Sequence, residues 1–86
     1  MFYVYVLKSD KDDKLYIGYT NDLRRRIEEH NGGKEKATNP RKPLKLVYYE
    51  AYFSQKDAKY REDQLKRFSG SYTHLKKRIK NSILFK

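Results

Sequence analysis

The chain contains no cysteine, so neither disulfides nor thiolate metal ligands contribute, and cysteine usage gives no clue to redox compartment. Long apolar runs are missing as well. The N-terminal run Phe2–Leu7 is six residues long with no basic flank before it, too short for a signal-peptide core or a membrane span. No internal repeat, low-complexity tract or composition break appears, so residues 1–86 read as one small domain with a modest core. The expected setting is soluble and cytoplasmic. Acidic residues are scarce: 11 Asp plus Glu stand against 21 Lys plus Arg, a net charge of +10. On so small a chain this excess attracts polyanions, nucleic acid foremost. A merely basic domain is the duller alternative. An anionic membrane is disfavoured, because no stretch pairs a Lys/Arg face with a broad apolar one.

What is present is concentrated in Leu15–His30, LYIGYTNDLRRRIEEH. It reads as a strand, a glycine that lets a ligand or another chain approach the backbone closely, and a helix start for which Thr20, Asn21 and Asp22 are all suitable N-caps. Leu23 and Ile27 form an apolar ridge. At about 100° per residue from Leu23, Ile27 falls near ~40°, His30 near ~340° and Arg26 near ~300°, while Arg24, Arg25, Glu28 and Glu29 lie opposite. Arg26 and His30 therefore edge the buried stripe, an unusual place for an arginine.

Around this stretch, FYVYVL alternates with period two, placing Phe2, Val4 and Val6 on one face and Tyr3, Tyr5 and Leu7 on the other. SDKDDK is a polar turn, and LYIGY returns as a hairpin partner. An even number of loop residues would put Tyr5 and Tyr16 on the same face. NGG stops the first helix. KEKATNPRKP follows as a basic loop, either an arm that contacts phosphate through Lys34, Lys36, Arg41 and Lys42 or a solvated connector. LKLVYYEAYF is a third strand, with Leu44, Leu46 and Tyr48 on one face. Ser54 then caps a second helix, with Asp57 as a near capping box and Ala58, Leu65 and Phe68 as its apolar face. Glu62 falls in or beside that stripe and Arg61 on its other flank; a carboxylate there must be paired, protonated or coordinating a cation. Gly70 and Ser71 break the chain before a basic helix, YTHLKKRIKNSILF, docked by Leu75, Ile79 and Ile83, with Lys76, Lys77, Arg78 and Lys80 available to phosphates. His74 reads as surface. The fold class expected is α+β: a three-stranded, mainly antiparallel sheet flanked by helices, in the order β-β-α-β-α-α.

A tyrosine tripeptide on each hairpin strand, Tyr3-Val4-Tyr5 and Tyr16-Ile17-Gly18 with ten residues between, resembles the GIY-YIG nuclease superfamily, most closely its small single-domain members. Tyr3 stands where the leading glycine of the motif would be. The family's arginine one turn before a histidine or tyrosine matches Arg26 and His30, and its R-E-x-x-L-K segment matches Arg61-Glu62-Asp63-Gln64-Leu65-Lys66. The resemblance covers nearly the whole chain. It implies a metal-dependent endonuclease acting on DNA, duplex or branched, in repair or recombination.

The resemblance further implies that Glu62 holds one divalent cation, Mg²⁺ or Mn²⁺, whose preference for oxygen ligands and retained waters suits a single carboxylate. Arg26 would hold the scissile phosphate with its planar fork. Tyr5, Tyr16 and His30 would position or deprotonate the attacking water, although a tyrosine base starts from a pKa of about 10. Each role has a plainer counterpart. The tyrosines can be sheet residues, His30 a helix C-terminal histidine favoured by the dipole, and Arg26 with Glu62 a structural ion pair. The main alternative function is a non-catalytic or weakly catalytic nucleic-acid-binding module whose aromatic side chains stack on bases.

Overall fold

A computed structural model describes residues 1–36 and 38–85; Ala37, inside the expected basic loop, and the terminal Lys86 lie outside the described residues. Strands β1 (Phe2–Ser9) and β2 (Leu15–Thr20) form the hairpin, and β3 (Leu44–Tyr52) pairs along the other edge of β1. The sheet is antiparallel throughout, in the order β2-β1-β3. Helix α1 (Leu23–Asn31) and a 3₁₀ turn (Asn39–Arg41) separate β2 from β3, and α2 (Gln55–Arg67), α3 (Ser69–Arg78) and the short α4 (Lys80–Leu84) complete the chain. The α+β class and the order β-β-α-β-α-α are as expected from sequence, with α4 as an addition.

Central position explains why β1 is apolar on both faces. Val4 and Val6 pack against Ala58 and Leu65 of α2 and against Leu75 and Ile79 beyond it. Tyr5 and Leu7 point the other way, to Leu44 and to Leu23 and Ile27 of α1. Helices thus cover opposite faces, and Val4 to Leu7 are each at most 2% exposed. The one buried lysine among the described residues, Lys8, is satisfied: its Nζ donates to the Ile83 carbonyl at 2.6 Å and lies 3.6 Å from the Asp13 carboxylate. An uncompensated charge there would be costly.

Among the three candidate caps, Asp22 starts α1: its Oδ1 accepts the Arg25 N–H at 3.1 Å, and the Thr20 hydroxyl oxygen accepts the Asp22 N–H at 3.0 Å. At the far end the Gly32 N–H donates to the Glu28 carbonyl at 2.8 Å, and Gly33 takes the left-handed conformation, φ 79°. Asn31 then fastens this end to the sheet. Its Oδ1 accepts the Leu44 N–H at 2.7 Å and its Nδ2 donates to the Leu44 carbonyl at 2.9 Å. The helix is fixed at both ends, which sets the direction of Arg26 and His30.

Several local expectations are corrected. Leu44 and Leu46 share the Tyr5 face, but Tyr48 does not. Leu7 pairs with Leu46 and Val6 with Tyr48, so Val47 is an extra residue, a bulge that moves Tyr48 to the α2 face. Ser54 precedes α2 without a side-chain capping bond. Phe68 is 55% exposed rather than part of the apolar stripe, because it is the extended residue (φ −110°, ψ 108°) at which α2 ends and α3 begins. The break therefore falls before Gly70 and Ser71, which lie in the first turn of α3, where glycine costs less than in a helix interior. The basic helix is in turn two pieces that meet at Ile79.

One register pair shapes the site. Tyr5 lies opposite Gly18, and its ring occupies the space where a side chain at residue 18 would begin. Glycine is required here for room, so the backbone approach anticipated at Gly18 is made by Tyr5 itself. Tyr5 is 2% exposed and held by neighbours, so it cannot simply swing aside. Gly18→Ala is expected to cost about 1–3 kcal/mol, as overpacking does, and to lower the melting temperature by several degrees. Thermal unfolding of the variant checks this; an unchanged midpoint would mean the phenol relocates freely.

Candidate active site

A cleft of about 210 Å³ is lined by Tyr5, Tyr16, Arg26, His30 and Glu62, all five of the side chains that the sequence singles out for catalysis. Two larger hollows, about 550 and 380 Å³, lie around Lys45 and Phe85 and contain none of them. Because α1 and α2 cover opposite faces of the sheet, a cleft lined by both must pass the sheet's edge. It does so at the edge strand β2, beside Gly18, whose missing side chain leaves room for the Tyr5 phenol.

Tyr16 pairs with Leu7, which puts it on the same face as Tyr5. The Tyr5 hydroxyl stands 3.0 Å from His30 Nε2 and receives a hydrogen bond from Arg26 Nε at 3.3 Å. The other nitrogen of His30, Nδ1, is 2.8 Å from the hydroxyl of Thr38. His30 is 5% exposed and Thr38 2%. Burial raises the pKa of the Tyr5 phenol, with the neighbouring Arg26 only partly opposing it. Burial lowers that of His30, and the Arg26 charge lowers it further. At neutral pH the pair is thus a protonated phenol facing a neutral imidazole.

Arg26 is the charge centre. Its guanidinium reaches Glu35 at 2.6 Å and Glu29 at 3.2 Å, besides the Tyr5 oxygen. Burial works against its charge, but the bonds from Glu35, Tyr5 and Glu29 outweigh that and hold it more firmly protonated than a free arginine. The structural pair considered for Arg26 and Glu62 is therefore not formed. Glu62 instead pairs with Lys66 at 3.1 Å, one turn along α2, and Lys66 also lines the cleft. Arg61, on the other flank, is bound to Glu50 at 3.0 Å in a network with the hydroxyls of Tyr48 and Tyr52, whose pKa values burial, and then that carboxylate, push up to about 12.

Three lining residues carry no site role in the sequence reading: Glu35, Thr38 and Lys66, the last of them named there only as the end of the Arg61–Lys66 motif. Glu35 had a faint signal, as the one acid in the basic stretch 34–43. Thr38 had none. Glu29, placed on the solvent side, is drawn round to Arg26. Of the expected phosphate contacts, Lys34, Lys36 and Lys42 are exposed on the loop that carries Glu35 and Thr38. Arg41 is folded inward: its guanidinium binds the Tyr16 hydroxyl, lies 5.4 Å from that ring and reaches Asp12 at 3.2 Å. Lys76, Lys77, Arg78 and Lys80 are exposed but line no part of the cleft, and His74 is exposed as expected.

A family profile described as the GIY-YIG catalytic domain matches residues 1–77. A UPF0213 protein of Clostridium perfringens is 46% identical over 70 residues, covering 80% of this chain and 74% of its own. One from Haloquadratum walsbyi is 42% identical over 76 residues, covering 87% and 80%. The solution NMR structure of a UPF0213 protein from Bacillus halodurans is similar with a TM-score of 0.54 and 38% identity, covering 87% of this chain and 81% of that one.

The depressed pKa of His30 makes stability depend on pH in a defined direction. As pH falls below the ordinary histidine value of about 6.5, the unfolded chain takes up this proton before the folded one does. The contribution is therefore fully present above that value and is lost as pH falls through the folded pKa. Urea unfolding at about pH 7.5 and about pH 5.5 should show a larger acid-induced loss for the wild type than for His30→Gln. Equal losses would contradict a buried, neutral His30.

Proposed function

The chain belongs to the GIY-YIG catalytic-domain family, and on that premise we propose that it is a metal-dependent endonuclease hydrolysing phosphodiester bonds in DNA. The observation that carries this reading is the convergence of Tyr5, Tyr16, Arg26, His30 and Glu62 from two strands and two helices on one cleft. A purely structural role for these residues gives no reason for them to meet. The net charge of +10 supplies attraction to a polyanion without selecting a sequence.

The cleft fits a hard cation. Glu62 presents a carboxylate with a side chain 23% exposed, and its one salt-bridge partner among the described residues, Lys66, is half exposed and readily exchanged. Mg²⁺ or Mn²⁺ can be held by one carboxylate, waters and substrate oxygens, and Glu62 would be that carboxylate. Such an ion would supply charge stabilisation at the phosphoryl oxygens and a more acidic water.

The chain's own groups do the rest. Arg26 binds the phosphoryl oxygens by exchanging its bond to Glu35, and its fork suits them better than an ammonium does. The attacking water gives a proton to the Tyr5 oxygen while the Tyr5 proton moves to His30 Nε2, 3.0 Å away. The raised phenol pKa argues against a stored phenolate and for this concerted relay, in which His30 ends as the cation. Tyr16, oriented by Arg41, borders the path of the water. One observation favours the second reading, a weakly catalytic binding module: two carboxylates already occupy the Arg26 fork.

Two substitutions separate the readings. Arg26→Lys keeps the charge and loses the fork, so turnover should fall at least about a hundredfold with DNA binding little changed. Glu62→Gln should abolish metal-dependent cleavage while leaving the melting temperature near the wild-type value and DNA binding equal or tighter, since the Lys66 it leaves behind is half exposed. A Glu62→Gln protein that still cuts DNA would end the metal assignment. Binding itself should weaken about as the inverse fifth power of salt if five or six basic groups meet phosphates; a slope near zero would remove nucleic acid as the partner.

A further inference from the structure

The relay makes one demand on His30: its single proton must sit on Nδ1, leaving Nε2 bare toward Tyr5. A neutral imidazole has two tautomers, and the hydrogen bond made by the far nitrogen decides between them. At Nδ1 stands Thr38, its hydroxyl 2.8 Å away and its side chain buried. We propose that Thr38 is a positioning residue, accepting the Nδ1 proton at Oγ1 and so holding His30 in the tautomer whose Nε2 receives the Tyr5 proton. Its catalytic meaning rests on the nuclease reading above; the tautomer it enforces does not.

The direction of the chain of bonds is set at its two ends. Arg26 can only donate, and its Nε lies 3.3 Å from the Tyr5 oxygen, which therefore accepts. The phenol's own proton then has one partner among the described residues, His30 Nε2, which must be unprotonated to take it. At the other end the Glu35 carbonyl can only accept, and the Thr38 hydroxyl lies 3.5 Å from it. Four groups, Arg26, Tyr5, His30 and Thr38, thus donate in a single sense, and the Glu35 carbonyl accepts at the end. The reverse arrangement has Thr38 donating to Nδ1 and Nε2–H aimed at the phenol. It would aim both Nε2–H and the Arg26 Nε–H at the phenol oxygen and leave the phenolic proton no protein acceptor among the described residues, in place of the bond to His30.

The backbone places Thr38 for this task. The N–H groups of Thr38 and Asn39 both donate to the Glu35 carbonyl, at 3.2 and 2.9 Å, closing a turn that presents the Glu35 carboxylate to Arg26 and the Thr38 hydroxyl to His30. One turn of the connector therefore meets both ends of the Arg26–Tyr5–His30 series. A hydrophobic residue of similar shape at position 38 would keep the packing and lose the acceptor.

The test is ¹⁵N NMR of the His30 imidazole in the wild type, Thr38→Val and Thr38→Ser, at neutral pH without DNA or metal. The wild type and Thr38→Ser are expected to carry the proton on Nδ1, and Thr38→Val to move it to Nε2. A wild-type ring protonated on Nε2, or a folded Thr38→Val with an unchanged tautomer, would overturn the proposal; the wild-type spectrum alone decides it should the valine variant fail to fold. In cleavage assays Thr38→Val should lose about a hundredfold in turnover at unchanged DNA affinity, as loss of a general base does, and Thr38→Ser should recover most of it. If the wild type cuts no DNA, the nuclease reading fails while the spectrum still judges the tautomer.

Discussion

The phenol of Tyr5, laid across Gly18 and held between Arg26 and His30, is the contact on which the rest of the structure depends. It can exist because Tyr5 sits on the central strand, buried from both sides, and because its cross-strand partner has no side chain. Asp22 and Asn31 fix the two ends of α1, so Arg26 and His30 arrive one turn apart over the same ring. Remove the space at Gly18 and the tyrosine moves. Loosen either end of α1 and its partners move. The site is preorganised because its geometry is a by-product of core packing, and that is how a small domain can hold polar groups precisely.

Electrostatics inside the cleft run against the charge of the whole protein. The chain is strongly basic, yet Arg26 is met by two carboxylates and Glu62 lines the same cleft. Arg26 is partly withdrawn from water, and in the resting cleft Glu35 and Glu29 offset its charge. In the proposed reaction a phosphate replaces Glu35 on the guanidinium, exchanging one charge-assisted bond for another. Long-range attraction then comes from the exposed lysines, and local recognition from a fork that is already oriented.

How much of this was legible in the chain follows from which forces act locally. Period-two alternation disclosed β1, and helical phase put Arg26 and His30 at the edge of a buried stripe, because both patterns are imposed by geometry within a few residues. The order of the elements along the chain, the α+β class and the choice of five side chains followed from those elements and the family resemblance together, whereas the placing of β1 at the centre of the sheet is seen only in the structure. Tyr48 was misplaced because a bulge at Val47 shifts the phase, and nothing in LKLVYYEAYF marks a bulge. The break at Phe68 was assigned instead to Gly70 and Ser71, since propensity favours glycine as a breaker while the packing of Leu65 and Leu75 sets where α2 must turn. Thr38 and Glu35 reach the site through a connector without periodicity, so their roles emerge only when the loop is folded back on α1.

The central claim is that this cleft performs hydrolysis and does not merely hold DNA. The measurement that addresses it most directly is cleavage by the purified protein of a panel of linear, flapped and branched DNAs in Mg²⁺, in Mn²⁺ and in EDTA. The account predicts strand scission with either metal and none in EDTA, with DNA retained in all three. Retention of DNA with no scission in any metal, on any structure in the panel, would contradict it and leave the protein a binding module on a catalytic fold.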